Sequence, residues 1–141
     1  MKTSRIALVA VSSALIVATL SGCSVLQSFA PNVTSDIFAS HTDFKNGSTT
    51  GFGSPTWLPD DATTIRVDYR NDGSAAILTY TSKGHFASGT CTASTAVPKP
   101  PVQDSWWPVT GLPATAVSCP GGWSAFVIGD QVFAAKGAAG S

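Results

Sequence analysis

The chain has 141 residues, room for one domain, of which 43% are hydrophobic and only 11% charged. Eight Lys or Arg balance eight Asp, and there is no Glu. That balance excludes an electrostatic grip on nucleic acid, which needs a basic face to displace counterions, and it leaves no polybasic stripe for anionic lipid.

The amino-terminal residues divide into a basic start (Lys2, Arg5), an apolar stretch over 6–20 and the tetrapeptide Leu20-Ser21-Gly22-Cys23, which is the division of a signal peptide. As a helix the apolar stretch is about 22 Å long, short of a hydrocarbon layer of roughly 30 Å, and this argues against a permanent transmembrane span. Leu-Ser-Gly-Cys resembles the lipobox of bacterial prolipoproteins. The resemblance covers residues 1–23 and implies that Cys23 receives a diacylglyceryl group through a thioether. It further implies that a dedicated signal peptidase cuts between Gly22 and Cys23. The residues suit that chemistry: Ser21 and Gly22 are small enough for an intramembrane enzyme to approach the backbone, and the Cys23 thiol is the strong nucleophile nearby. Two acyl chains on one residue meet the requirement for stable anchoring. The implied location is the extracytoplasmic face of the cell membrane, with lipoprotein-processing enzymes as the earliest partners. An ordinary secreted protein or an uncleaved anchor is the alternative. The expected organisation is a signal peptide over 1–22, a lipidated Cys23 with a flexible tether over 23–54, and a small β domain over 55–141.

The stretch 24–54 is rich in Ser, Thr, Asn and Gly with scattered apolar residues (Val33, Ile37, Phe38, Phe44, Phe52), a composition that predicts a tether. Ser35-Asp36-Ile37-Phe38 predicts a short helix inside it, capped by Ser35 or Thr34 and stopped at Asn46-Gly47. Strict alternation in Ile65-Arg66-Val67-Asp68-Tyr69-Arg70, then Asn71-Asp72-Gly73 and a run over 75–81, predicts a hairpin. A three-residue loop with positive φ at Gly73 puts Arg70 opposite Ser74, Tyr69 opposite Ala75 and Val67 opposite Ile77. The second strand, apolar on both faces, should be the more central.

Residues 97–113 are broken by Pro98, Pro100, Pro101, Pro108 and Pro113, which excludes a long helix. A strand over 114–119 follows. A second hairpin around Gly129-Asp130 suits a type II′ turn, pairing Phe126 with Phe133 and Val127 with Val132. With Cys23 set aside for lipid, Cys91 and Cys119 remain to pair, in a compartment that permits disulfides; the alternative is two buried free thiols. The fold expected is mainly β, a small antiparallel sheet or sandwich of four to six strands with one disulfide.

Residues for chemistry are few. His41 and His85 stand apart in polar segments, and no His or Cys spacing suits a metal. No cofactor is expected. Asp68 to Gly73 brushes against a calcium-loop pattern, but Arg70 takes a ligand position and Thr79 stands where the bidentate Glu belongs. Asp60, Asp61, Asp72 and Asp130 all read as turn residues. Trp57 and Trp123 read as core. Trp106 and Trp107, neighbours that point to opposite sides of an extended chain, are the candidate ligand-binding residues, an exposed indole being a platform for a sugar ring or a partner. The expected function is a non-catalytic, lipid-anchored envelope module that binds wall polysaccharide, a peptide or another envelope protein. Its alternatives are a small envelope hydrolase using Asp or His85 as acid or base, and an inhibitor or accessory subunit marked by an apolar patch at Trp106 and Phe52.

Overall fold

The computed structural model describes residues 32–137, so the signal peptide, the lipobox and Cys23 lie outside the described residues. Seven strands form a single antiparallel sheet: β1 (Val33–Ser40), β2 (Thr63–Arg70), β3 (Ala76–Thr81), β4 (Ala93–Thr95), β5 (Ala116–Cys119), β6 (Trp123–Ile128) and β7 (Gln131–Lys136). Their spatial order is β1-β2-β3-β7-β6-β5-β4. The mainly β, disulfide-linked sheet expected from sequence is present, with seven strands rather than four to six.

The extra strands come from segments too short or too polar to show a clear period. The stretch expected to be a tether contributes β1, which pairs with β2 from Val33 opposite Arg70 to Ser40 opposite Thr63, so the domain begins well before residue 55. The helix expected from Ser35 is instead this strand: Val33-Thr34, Ile37 and Phe38 favour extended backbone, and β2 offers an edge to pair with. A helix, α1 (His41–Asn46), follows it. Ser40 is its N-cap, accepting from the Asp43 N–H at 3.2 Å, and it stops at Gly47. Phe44 from α1 and Phe52 from the following short 3-10 turn are 3% and 1% exposed. They meet Phe38 and Tyr69 in a run of aromatic contacts with centroids 5.1–6.0 Å apart.

The two hairpins fared differently. In the second, Phe126 faces Phe133 and Val127 faces Val132 as expected, and the left-handed φ of 63° at Gly129 supplies the type II′ turn. In the first, Gly73 has the positive φ expected, 73°, but the Asp72 carboxylate takes the Ser74 N–H (2.9 Å) and hydroxyl (2.7 Å). That draws Ser74 into the loop, and Arg70 N–H bonds the Ala75 carbonyl at 2.9 Å. The register therefore sits one residue from the expected one, with Tyr69 opposite Ala76, Asp68 opposite Ile77 and Val67 opposite Leu78. A one-residue slip changes which side chains share a face.

Both faces of the sheet carry a core. On one, Ile65, Val67, Leu78, Tyr80, Val132, Ala134, Ala125 and Trp123 pack against Trp57, Leu58 and Phe52. Trp57 and Trp123 meet edge to face at 5.8 Å and are 0% and 1% exposed, the core placement expected of them. The Cys91–Cys119 disulfide ties the loop after β3 to the end of β5 on this side. On the other face Ile77, Phe126, Phe133, Ala135 and Ala116 lie beneath Val102 and Trp107 from the proline-broken segment. The loop closed by the disulfide spans 28 residues, so reduction is expected to cost roughly 3–4 kcal/mol in the chain-entropy account. Urea unfolding with and without reductant measures this, and unfolding unaffected by reductant would contradict it.

Candidate functional site

The slipped register leaves Arg66, Asp68 and Arg70 on the Ile77 face of β2, a charged stripe beside an apolar core. Water covers it only in part, Asp68 being buried and both arginines half-buried. The segment 97–113 folds across the sheet, and each member of the stripe holds it at a different point. Arg66 Nη2 donates to Asp104 Oδ2 at 3.1 Å, the Trp106 Nε1–H donates to Asp68 Oδ2 at 2.7 Å, and Arg70 Nη2 donates to the Pro101 carbonyl at 3.4 Å. The Arg66 guanidinium also stands 5.5 Å from the centre of the Trp106 ring, within cation–π range.

Asp68 is the unusual member. It is 1% exposed, and its Oδ1 has no hydrogen-bond partner. Burial raises its carboxyl above the usual range, and the neighbouring Asp104 adds to the rise, while the Trp106 indole N–H opposes it. Asp104 moves the other way. Burial works against its charge, but its hydrogen bonds with Asp68, Trp106 N–H and Ser105, together with the Arg66 charge, bring it below the usual range. The two environments thus favour the protonated form at Asp68 and the charged form at Asp104, which faces Arg66. Carboxyls whose environments drive them apart are what acid–base chemistry uses, but this pair lies under an indole and closes no cleft of its own.

The residues singled out from sequence are placed as follows. Trp107 is 6% exposed and packs against Phe126 and Phe133 at 5.6 and 6.1 Å. Trp106 is half-buried, its indole N–H committed to Asp68. Phe52 and Trp106 belong to opposite faces of the sheet, so they form no shared patch. His85 has a left-handed φ of 58° in a turn built on Asp61: Asp61 accepts from the Ser82 hydroxyl (2.6 Å) and from Lys83 and Gly84 N–H (2.9 and 3.2 Å). His85 joins through its backbone, its N–H bonding Ser82 Oγ at 3.0 Å and its carbonyl accepting the Tyr80 hydroxyl. Its imidazole meets no carboxylate there. Asp61 is lowered chiefly by the Ser82 hydroxyl, as a turn-capping carboxylate should be, and Asp72 likewise by Ser74. Asp60 pairs with His41 at 3.0 Å. Asp104 reads in the sequence as a loop residue, and Asp68, apart from the calcium-loop pattern it opens, as the polar half of an alternating strand, so neither signals the pair.

A groove of about 360 Å³ lies at the β4–β5–β6 end, bordered by Phe86, Pro113 and Phe126 with the hydroxyls of Thr92, Ser94 and Thr115. None of its lining residues is ionisable. Among the described residues no cluster of three His, Cys or Asp converges as a metal would require, and no helix is long and apolar enough to cross a membrane. Comparison with known protein families, with curated proteins and with solved structures returned no match.

The carboxyl pair makes stability depend on pH in two directions. Asp68, raised in the folded state, lowers stability as pH climbs from the usual carboxylate value of about 3.9 through its folded value; Asp104, depressed, stabilises above the usual value and loses that as pH falls through its own. The pair is most favourable between the two. Asp68→Asn, whose amide keeps an acceptor for Trp106 and adds a donor for Asp104, is expected to flatten the decline on the alkaline side, read from denaturant midpoints across pH. Trp106→Phe leaves Asp68 Oδ2 without its donor and is expected to destabilise by about 1–3 kcal/mol; a change below a few tenths would show that the bond holds nothing.

Proposed function

We propose that the chain is a lipid-anchored cell-envelope protein whose β domain is a non-catalytic binding or structural module at the extracytoplasmic face of the cell membrane. The observation that carries the anchoring is the partition of the cysteines. Cys91 and Cys119 are joined, which leaves Cys23, the cysteine of Leu20-Ser21-Gly22-Cys23, as the thiol free to take lipid. Because β1 starts at Val33, the chain between lipid and sheet reaches at most about 35 Å. The domain stands close to the membrane rather than at the end of a long tether.

For binding, the groove bordered by Phe86, Pro113, Thr92, Ser94 and Thr115 offers apolar surface and hydroxyls without charge. That chemistry suits an uncharged polymer such as wall polysaccharide, or a neutral peptide segment. The alternative, a small envelope hydrolase, draws support from the divided Asp68–Asp104 pair. It must then explain how substrate reaches a carboxyl closed over by Trp106.

Labelling with radioactive palmitate, followed by membrane fractionation, tests the anchor. The wild-type chain is expected to be labelled and membrane-bound, and Cys23→Ala to be unlabelled with its signal peptide retained. Labelling that survives Cys23→Ala would refute the assignment. Incubation of purified protein with cell-wall material separates the two modules of activity: binding that persists in Asp68→Asn supports the binding reading, and wall cleavage lost in Asp68→Asn establishes the hydrolase.

A further inference from the structure

Exposed apolar surface is divided unevenly between the two sides of the sheet. Five large apolar side chains are exposed among the described residues, Val33, Ile37, Val109, Leu112 and Ile128, and all five belong to the side that the 97–113 segment covers. Ile37 stands opposite Arg66 and Val33 opposite Arg70, the two arginines that hold that segment, and directly opposed residues share a face. Ile128 lies two residues beyond Phe126, which is buried beneath the segment, so it too is on that face. Val109 and Leu112 are in the segment itself, past its inward-packed Val102 and Trp107. Ile37 and Val109 are 69% and 85% exposed.

Charge is divided the same way. The side covered by 41–62 carries the exposed carboxylates of Asp43, Asp60 and Asp61, and Asp36, opposite Val67 of that core. Lys45, Lys83 and Lys136 are interspersed among them, so that side is a mixed-charge surface that favours water. On the 97–113 side the carboxylates are Asp68, which is buried, and Asp104, which accepts from Arg66. Arg70 and the exposed Lys99 form no salt bridge among the described residues. What this side shows to its surroundings is aliphatic surface with two uncompensated cations.

We propose that the domain rests on the lipid bilayer through its 97–113 side, with Ile37, Val109 and Leu112 among the headgroups and the mixed-charge side turned outward. This orientation rests on the lipid anchor at Cys23 proposed above. Val33, one of the five, opens the first described strand, and the chain from Cys23 reaches it over at most about 35 Å. The seven strands span about 29 Å at the usual spacing, so the domain cannot leave the surface by much more than its own width. Each encounter with the bilayer is then intramolecular, which populates a contact too weak to hold a free protein. The headgroup boundary takes up aliphatic side chains, and anionic phosphates there attract Arg70 and Lys99. A glycan fits this side less well: it calls for aromatic faces and hydroxyls, which the groove between β4 and β6 has and these aliphatic side chains lack.

The full chain, purified from membranes and reconstituted in vesicles of phosphatidylcholine and phosphatidylglycerol, tests this. Single cysteines at Ile37→Cys and Val109→Cys on one side, and Lys45→Cys and Lys83→Cys on the other, carry an environment-sensitive fluorophore, and the quencher is a nitroxide on the lipid headgroup. Quenching at Ile37→Cys and Val109→Cys is expected to exceed that at the two lysine positions by about threefold or more. Adding Leu112→Asp and Ile128→Asp, which place carboxylates against the headgroups, should bring the first pair down to the level of the second with circular dichroism unchanged. Flotation of the vesicles reads the anchor separately. Equal quenching on the two sides of a chain that floats, or quenching that survives the added carboxylates, would overturn the orientation and leave the anchor standing. Protection of Ile37→Cys and Val109→Cys from iodide in water without quenching from the lipid would overturn it in favour of a second copy. A wild-type chain that does not float would overturn the anchor and the orientation together.

Discussion

Strand β3 sets the terms for the rest of the molecule. Five consecutive residues, Ala76 to Tyr80, are buried, and since neighbouring side chains on a strand point to opposite faces, neither face of the sheet can be left to water. Half-buried antiparallel sheets need one cover; this one needs two, and among the described residues no second sheet supplies either. The covers are irregular segments, 41–62 with Phe44, Phe52 and Trp57 on one side and 97–113 with Val102 and Trp107 on the other. Their large aromatics supply area that short loops of small residues would lack.

How the second cover stays in place follows from its prolines. Proline has no N–H to give to a sheet ladder, so a segment bearing Pro98, Pro100, Pro101 and Pro108 cannot dock as another strand. It retains carbonyls and side chains. The β2 stripe answers with donors, Arg70 to the Pro101 carbonyl and Arg66 to Asp104, and with one acceptor, Asp68 for the Trp106 indole. Three unlike contacts at three heights along one strand fix the segment's position along the sheet, which apolar packing alone, being non-directional, would leave free to slide. The buried Asp68 is the cost of that specificity.

What was legible in the sequence was whatever could be read locally. The Gly129-Asp130 turn fixed its hairpin because two residues decide both turn type and register. The Asn71-Asp72-Gly73 turn misled by one residue because Asp72 had a choice of partners, and its capture of Ser74 is a side-chain event that turn statistics do not encode. Trp57 and Trp123 were legible as core by size. β1 was not: Val33 to Ser40 is half polar, and its strand character depends on β2 being there to receive it. The Asp68–Asp104 pair was hidden for a related reason. Its members stand far apart in the chain, and alternation of charged and apolar residues in Ile65 to Arg70 ordinarily means a solvent face. Here the charged face was a binding surface for the protein's own loop.

The strand order carries a kinetic consequence. β1, β2 and β3 are sequential neighbours, and β4 to β7 are too, so each half can form from local contacts. The halves meet only where β3 lies against β7, Ala76 opposite Lys136 through Thr81 opposite Gln131, a seam between residues 50 positions apart at its closest. Contacts of that separation form slowly. Since β7 follows the other six described strands in sequence and sits at the centre of the sheet, the growing chain holds a doubly apolar β3 with one side unpaired until β7 has been made. Aggregation risk during synthesis is concentrated in that interval, and loss of β7 would remove the middle of the sheet while leaving both edge strands in the chain.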